Sequence, residues 1–454
     1  MPLIYSRWPP PVSPTPWWLR VTPPLNLSMK RYSSLLLLAL CAGTSGLAST
    51  TPPPPMPRWK HLSSRTGELP VPNGGLQQTT AVVFDVDGDG VNDFVLGERT
   101  EAPGVIWLRR TATGWEKYMV DDGPRRTEAG GLAYDVDGDG DPDFIVGGDY
   151  KSNEVWWYEN PRPAFVPATP WKRHLIKQSG VTEHHDQAMA DFMRTQKPQL
   201  MFWNQKAKKL FMAERPDNPR EFGPWPLTEI FDYSTLESTA PASNIHPAIV
   251  QAMNKQEGMF VCDVDSDGNP DLLAGMFWFK HVAGKEFKAV QFANHPGRVA
   301  AGRFKAGKAP QLVLAPGDGD GPLMFYECQG DPTNPNSWQG RDLLGTKVIH
   351  GHSLDLGDIN GDGHLDIFVA EMGQWTNRPE APPDNPFARA WIVYGDGQGN
   401  FIPTQLSTGI GFHEARVADL DGDGRLDILN KPYRFNTPRL DIWLNQGNAT
   451  GQGK

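Results

Sequence analysis

Cysteine is scarce in this chain, with three residues in 454. A disulfide framework is thereby excluded, because stapled scaffolds carry several cysteines in far shorter chains. Cys262 and Cys328 each lie in an apolar, strand-like run and are expected to be buried thiols. A basic surplus is also missing: 43 Lys and Arg stand against 53 Asp and Glu, a net charge of −10. Polyphosphate binding is driven by clustered Lys and Arg, so nucleic acid is excluded as a partner. The apolar run around Leu35–Leu40 is too short to span a bilayer, so no membrane span is expected. Sustained helical periodicity is absent as well. In its place stand 47 glycines and 43 prolines spread along the chain, which favour many short strands and turns.

The N-terminal region has the layout of an export signal. From Met29 it offers a basic start at Lys30 and Arg31, an apolar centre, and small residues at Gly46–Ala48. Residues 1–28 are Pro- and Trp-rich without structural period, and read as lying upstream of the true start. The expected layout is a signal over 29–48, a Pro-rich linker over 49–58, one repeat domain over 59–447 and a tail over 448–454. The protein is then secreted or periplasmic. Cleavage after Ala48 leaves 39 basic against 53 acidic residues, a net charge of −14.

What is abundant is aspartate, in one recurring pattern. "DVDGDGVND" from Asp85 is followed by "DVDGDGDPD" from Asp135, "DVDSDGNPD" from Asp263, "DINGDGHLD" from Asp358 and "DLDGDGRLD" from Asp419. Oxygen side chains fall at positions 1, 3, 5 and 9, and glycine at 6. These are Asp85, Asp87, Asp89, Asp93; Asp135, Asp137, Asp139, Asp143; Asp263, Asp265, Asp267, Asp271; Asp358, Asn360, Asp362, Asp366; and Asp419, Asp421, Asp423, Asp427. Ca²⁺ takes six to eight hard oxygen ligands, and alternate residues of a tight turn can aim at one centre. Glycine supplies the backbone angle of the turn. About five calcium sites are expected. An EF-hand is excluded, because position 12 is never glutamate and short strand-like runs flank each loop. The loops hold 20 of the 53 acids, so five Ca²⁺ would bring the mature charge to −4.

Two further segments fit the same frame with the loop decayed, from Asp191, which keeps only its first acid, and from Arg303. Arg194, Lys197, Arg303, Lys305 and Lys308 there are expected to repel a metal. Seven repeats result, each with four short strands and an aromatic residue opening the fourth. The seventh lacks its fourth strand, but "WKHLSS" from Trp59 stands alone before the first and has the form of "WKRHLI" from Trp171. The expected fold is an all-β, seven-bladed propeller of four-stranded blades, closed by the N-terminal strand. Closure removes the exposed edge that an open stack would leave.

The D-x-D-x-D-G-x-x-D loops resemble those of the secreted FG-GAP/VCBS-repeat propellers, over nearly the whole mature chain. The resemblance implies the propeller and its calcium and is silent on activity. A fainter one joins "EHHDQAMADFMRTQKPQ" and "IHGHSLDLGDINGDGHLDIFVAEMG" to the propeller portion of aldos-2-ulose dehydratases, which carry cupin domains not seen here.

Opposite the acidic loops, six residues before each loop start, stand Thr79, Ala129, His185, Glu257, Gly297, His352 and His413. Histidine thus recurs at one structural position, with Asp186 and Glu414 beside two of the copies. His185, His352, His413 and Glu414 are the candidate catalytic residues, and the histidines could share a second divalent metal. Inherited repeat residues, each bonded to a neighbouring blade, are the alternative. Tyr150, Lys151, Trp375, Tyr433 and Arg434 lie on the same rim as candidate ligand contacts. The leading expectation is binding of a carbohydrate or similar polar ligand there. A sugar lyase or dehydratase and a protein-interaction scaffold are the alternatives.

Overall fold

The alternating strands and acidic turns produce seven four-stranded antiparallel sheets arranged as the blades of a β-propeller. The computed structural model describes residues 56–236, 255–307, 309–375 and 384–448. The signal and most of the linker and tail read in the sequence lie outside the described residues, as does part of the blade-six insertion. The inner strands are Gln78–Phe84, Leu132–Tyr134, His184–Ala190, Met259–Cys262, Arg298–Gly302, Ser353–Gly357 and His413–Ala418. Each touches the inner strand before and after it, and the last touches the first, so the ring is closed.

Closure uses the strand anticipated from the sequence. Pro57–Ser63 pairs antiparallel with Asp441–Asn448 and completes blade seven from the far end of the chain. His61 stacks on Trp443 at 4.4 Å and bonds Asp441 at 2.9 Å. Leu62 is buried with Leu96 and Ile106 of blade one and Leu429 and Ile442 of blade seven. Comparable apolar clusters fill every gap between neighbouring blades.

One position of the repeat explains why the blades hold register. The second residue of every loop, intact or decayed, is apolar and buried: Val86, Val136, Phe192, Val264, Phe304, Ile359 and Leu420 are at most 1% exposed. Each plugs its loop into the core. Cys262 and Cys328 end inner and third strands and are half-buried rather than buried, because both sit where a strand runs out into a loop.

Candidate functional site

At one rim the five acidic loops adopt one turn. The sixth-position glycines Gly90, Gly140, Gly268, Gly363 and Gly424 all have φ between 83° and 97°, where a side chain would be strained. The first carboxylate gathers the backbone of the turn: Asp85 accepts from the N–H groups of Gly88, Asp89 and Gly90 at 2.8–3.1 Å. Asp419 does the same with Gly422, Asp423 and Gly424. Carboxylate oxygens of Asp85, Asp87 and Asp89, of Asp135, Asp137 and Asp143, and of Asp263, Asp265 and Asp271 lie within 4.8 Å of one another.

The ninth-position aspartates have a second role that spacing did not reveal. Asp427 accepts from Leu420 N–H at 2.9 Å and from Asn445 N–H at 2.7 Å, tying the loop to the third strand. Asp143 and Asp366 make the same clasp with Val136 and Asn160, and with Ile359 and Gly395. In the decayed loops glutamine takes over. Gln199 accepts from Met193 N–H and Gln311 from Phe304 N–H. The loop half of the clasp therefore survives where the ninth-position acid is lost. Burial pushes Asp93, Asp271, Asp366 and Asp427 up to about 7 and Asp143 to about 8. Asp93 Oδ2 and Asp421 Oδ1 are buried without a hydrogen-bond partner. An oxygen-only donor set with such orphaned oxygens fits a hard dication.

At the other rim, side chains from non-adjacent blades meet, which is possible only at the centre of the ring. His185 of blade three and His352, leading into blade six, have ring centroids 6.1 Å apart. Glu257 of blade four stands between them, its Oε2 3.3 Å from His352 Nε2 and 4.0 Å from His185 Nε2. This oxygen is buried and accepts no hydrogen bond. Asp318 adds Oδ1 at 2.8 Å from His352 Nε2 and 2.9 Å from His350 Nε2. Asp318 and His350 are carried by a two-stranded sheet, Gly317–Gly321 with Val348–Gly351, that lies outside the blades. Both combinations, His185–Glu257–His352 and Asp318–His350–His352, place their donor atoms within 4.8 Å of one another.

His413 is nearby but differently employed. Its Nδ1 faces the Gln78 carbonyl at 2.9 Å, and its ring stacks on His352 at 5.0 Å. Burial, with Lys431, His352, Arg99 and Arg298 close by, holds it well below the usual imidazole range, so it is neutral. For His185, burial is outweighed by Asp186, Glu257 and Glu128, and the ring is raised to about 9. For Asp318, burial is outweighed by Lys255, His350 and His352, which hold it well below the carboxylate range.

Glu414 sits one layer deeper than the histidines. It is fully buried, with Arg298 Nη2 at 2.8 Å and Arg416 Nη2 at 2.7 Å. Each of its oxygens faces a guanidinium at ion-pair distance, Oε1 without a hydrogen bond, and this directs the carboxylate away from the histidines. Asp186 shares that layer: Oδ2 meets His185 Nδ1 at 2.5 Å, and Oδ1 meets Arg298 Nη1 at 2.9 Å. Asp186 and Glu414 occupy left-handed backbone, φ 47° and 52°, at irregularities in their inner strands. The irregular backbone is what turns an acid inward one residue after a histidine that also points inward.

Around the mouth, Tyr150 is 38% exposed and Lys151 is exposed, with Arg99 and Arg126 against the Tyr150 ring at 5.5 and 5.2 Å. Tyr433 is engaged on more sides: His413 lies 5.0 Å away, its hydroxyl bonds Gln77, and Arg99 donates to it at 3.0 Å. Trp375 is half-buried and Arg434 exposed. Glu257 shares the phase of the histidines in the sequence but nothing local gives it a role, and Asp318, Arg298 and Lys255 stand outside that phase. The signal for Asp318 was "PGDGDG", an acidic turn at the wrong rim for a calcium loop.

No family model matches the chain. No curated protein matches it either. Among solved structures it is similar to BBS1N in the crystal structure of its complex with ARL6DN, soaked with mercury, at 11% identity and TM-score 0.47, over 86% of this chain and 97% of that one. It is similar to the V. cholerae biofilm matrix protein Bap1 at 10% identity and TM-score 0.43, over 83% and 89%. The Cps50 (Swd1) β-propeller domain of Myceliophteria thermophila aligns at 9% identity and TM-score 0.43, over 82% and 96%. Likeness at this level carries nothing about binding or catalysis.

Proposed function

We propose that this chain is an exported, calcium-stabilised propeller of the FG-GAP/VCBS type that binds an oxygen-rich ligand of the carbohydrate class at its axial mouth. A divalent metal held by His185, Glu257 and His352, with Asp318 beside them, anchors that ligand. The observation that carries the reading is Glu257 Oε2: buried, without a hydrogen bond, and facing two imidazole Nε2 atoms. Two imidazoles and one or two carboxylates form a donor set suited to zinc and its neighbours rather than to calcium. When bound, the metal would polarise a ligand hydroxyl or carbonyl. The chain's own groups do the rest. Asp186 fixes which nitrogen of His185 faces the mouth, and Tyr150 offers an exposed ring for a sugar face.

A second reading, a sugar lyase or dehydratase, is favoured by His413. With Nδ1–H given to the Gln78 carbonyl, its Nε2 is left as an acceptor for a ligand hydroxyl, and it would serve as a base alpha to a carbonyl only where a bound anionic ligand offsets the surrounding cations.

Calcium-saturated protein cleared of transition metals is titrated with Co²⁺. One equivalent is expected, with visible absorption from nitrogen and oxygen ligands. Glu257→Gln should weaken it while calcium content and melting temperature stay unchanged. No absorption from fully folded, calcium-loaded protein sinks the metal reading. Oxidised and uronic sugars are then tested for binding and for ultraviolet-absorbing products. The His352→Ala/His413→Ala double variant is expected to lose both without losing stability. A variant that loses stability and keeps binding marks these histidines as structural.

A further inference from the structure

One residue beyond the histidine layer, the seven inner strands present Thr80, Gly130, Asp186, Gly258, Arg298, Ser353 and Glu414. Two acids and one arginine stand here among four small residues, and the charged three come from blades three, five and seven. Those blades are not adjacent, so any bond among them crosses the centre of the ring. Arg298 makes both bonds: its guanidinium meets Asp186 at 2.9 and 3.0 Å and Glu414 at 2.8 Å. The small residues make room for it. A Cβ at Gly258 would come within 2.8 Å of the Arg298 Cα, and one at Gly130 within 2.5 Å of the Asp186 Cα. All three charged residues are at most 7% exposed.

From this layer we infer that Arg298 is the positioning residue of the axial site: it holds Asp186 against His185 and ties it across the ring to Glu414. The chain of contacts is continuous. Arg298 grips Asp186, which also accepts from Gly258 N–H at 2.7 Å and receives His185 Nδ1 at 2.5 Å. His185 is thereby left with only Nε2 to offer Glu257 and His352. Arg416 braces the far end by holding Glu414 and the Ala81 carbonyl of blade one. Without Arg298, Asp186 keeps the Gly258 N–H but loses the cation opposite His185, and its hold on the imidazole loosens. Partners that orient a metal-bound histidine in this way typically change metal affinity by about 10- to 100-fold when removed.

This inference rests on the metal reading above, and the experiment separates the two. Wild type, Arg298→Met, Asp186→Asn and the double variant are compared in calcium, by Co²⁺ affinity and by the downfield proton resonance of the His185 Nδ1–Asp186 bond. Arg298→Met is expected to weaken Co²⁺ binding about 10- to 100-fold and to shift or broaden that resonance. In the Asp186→Asn background it should have little further effect, because both act through one imidazole. Equal losses in both backgrounds, or an unchanged resonance, overturn the inference. Should Arg298→Met fail to fold, Arg298→Lys retains the charge but cannot grip both acids, and an intermediate loss is expected. Full wild-type affinity in Arg298→Lys would also overturn it. Wild type that takes up no Co²⁺ fails the metal reading alone, and the proton resonance still reports whether Arg298 positions His185.

Discussion

Replacing Leu62 with alanine tests closure of the ring at a single side chain. Leu62 is 8% exposed and lies between blades seven and one, packed among leucines and isoleucines from both. Leu→Ala at a packed site costs about 3 kcal/mol, from lost transfer energy and the cavity left behind. The ring runs from Pro57 to Asn448, and unfolding entropy is about 2 cal/mol/K per residue, so it totals about 0.8 kcal/mol/K. The expected drop in melting temperature is therefore about 4 °C. His61→Ala removes one ring stack and one hydrogen bond, about 1 kcal/mol, and should lower it by about 1 °C. Lys60 on the same strand is exposed, and its alanine variant should melt like the parent. Deletion through Ser64 goes further and leaves Asp441–Asn448 as an open edge that invites aggregation. Thermal unfolding in excess calcium, followed by circular dichroism and light scattering, reads all four. A Leu62→Ala protein melting within about 1 °C of the parent would refute the reasoning, as would a truncated one that stays monomeric and melts normally.

Calcium should be found at about five ions per chain after gentle purification, and chelation should lower the melting temperature by mass action; fewer than four ions by elemental analysis tells against the loops. Asp87→Ala should cost one ion and Lys305→Ala none. Chelated protein should also show an inverted pH profile. The ninth-position aspartates have folded pKa values raised to about 7 or 8, so the folded state binds more protons than the unfolded one between about pH 4 and about pH 8. Stability then falls as pH rises through 7 to 8, and calcium should flatten the curve; identical curves with and without calcium would defeat this. Exported protein should begin near Ser49, and recovery of peptides from residues 1–28 would contradict a start at Met29.

The propeller was legible because its determinants are local and repeated. Five copies of one aspartate spacing, with glycine at the turn, announce both loop and repeat length. Even the orphan "WKHLSS" could be matched to its blade by form. The axial site was legible only in outline. His185, His352 and His413 share a phase, and the rings of His185 and His413 lie 6.1 and 5.0 Å from that of His352. What each does depends on contacts between blades that no local spacing encodes. His413 is turned to the Gln78 carbonyl, some 335 residues away in sequence. Glu257 reaches both other histidines because it belongs to the blade next to one of them. Glu414 reads as a candidate acid beside a histidine, yet the left-handed backbone sends it one layer down, to two arginines. Asp318 and His350 arrive on a small sheet outside the repeat, where repeat logic has no purchase.

The seventh blade is built from the first strand and the last three, with His61 and Asp441 separated by 380 residues. During synthesis its opening strand must wait without a partner until almost the whole chain has been made. Blades one to six can each pair internally as they emerge, but the ring cannot lock before the final hairpin arrives. Contacts of such sequence separation are the slowest to form. The step that commits the ring is therefore reserved for the very end of the chain.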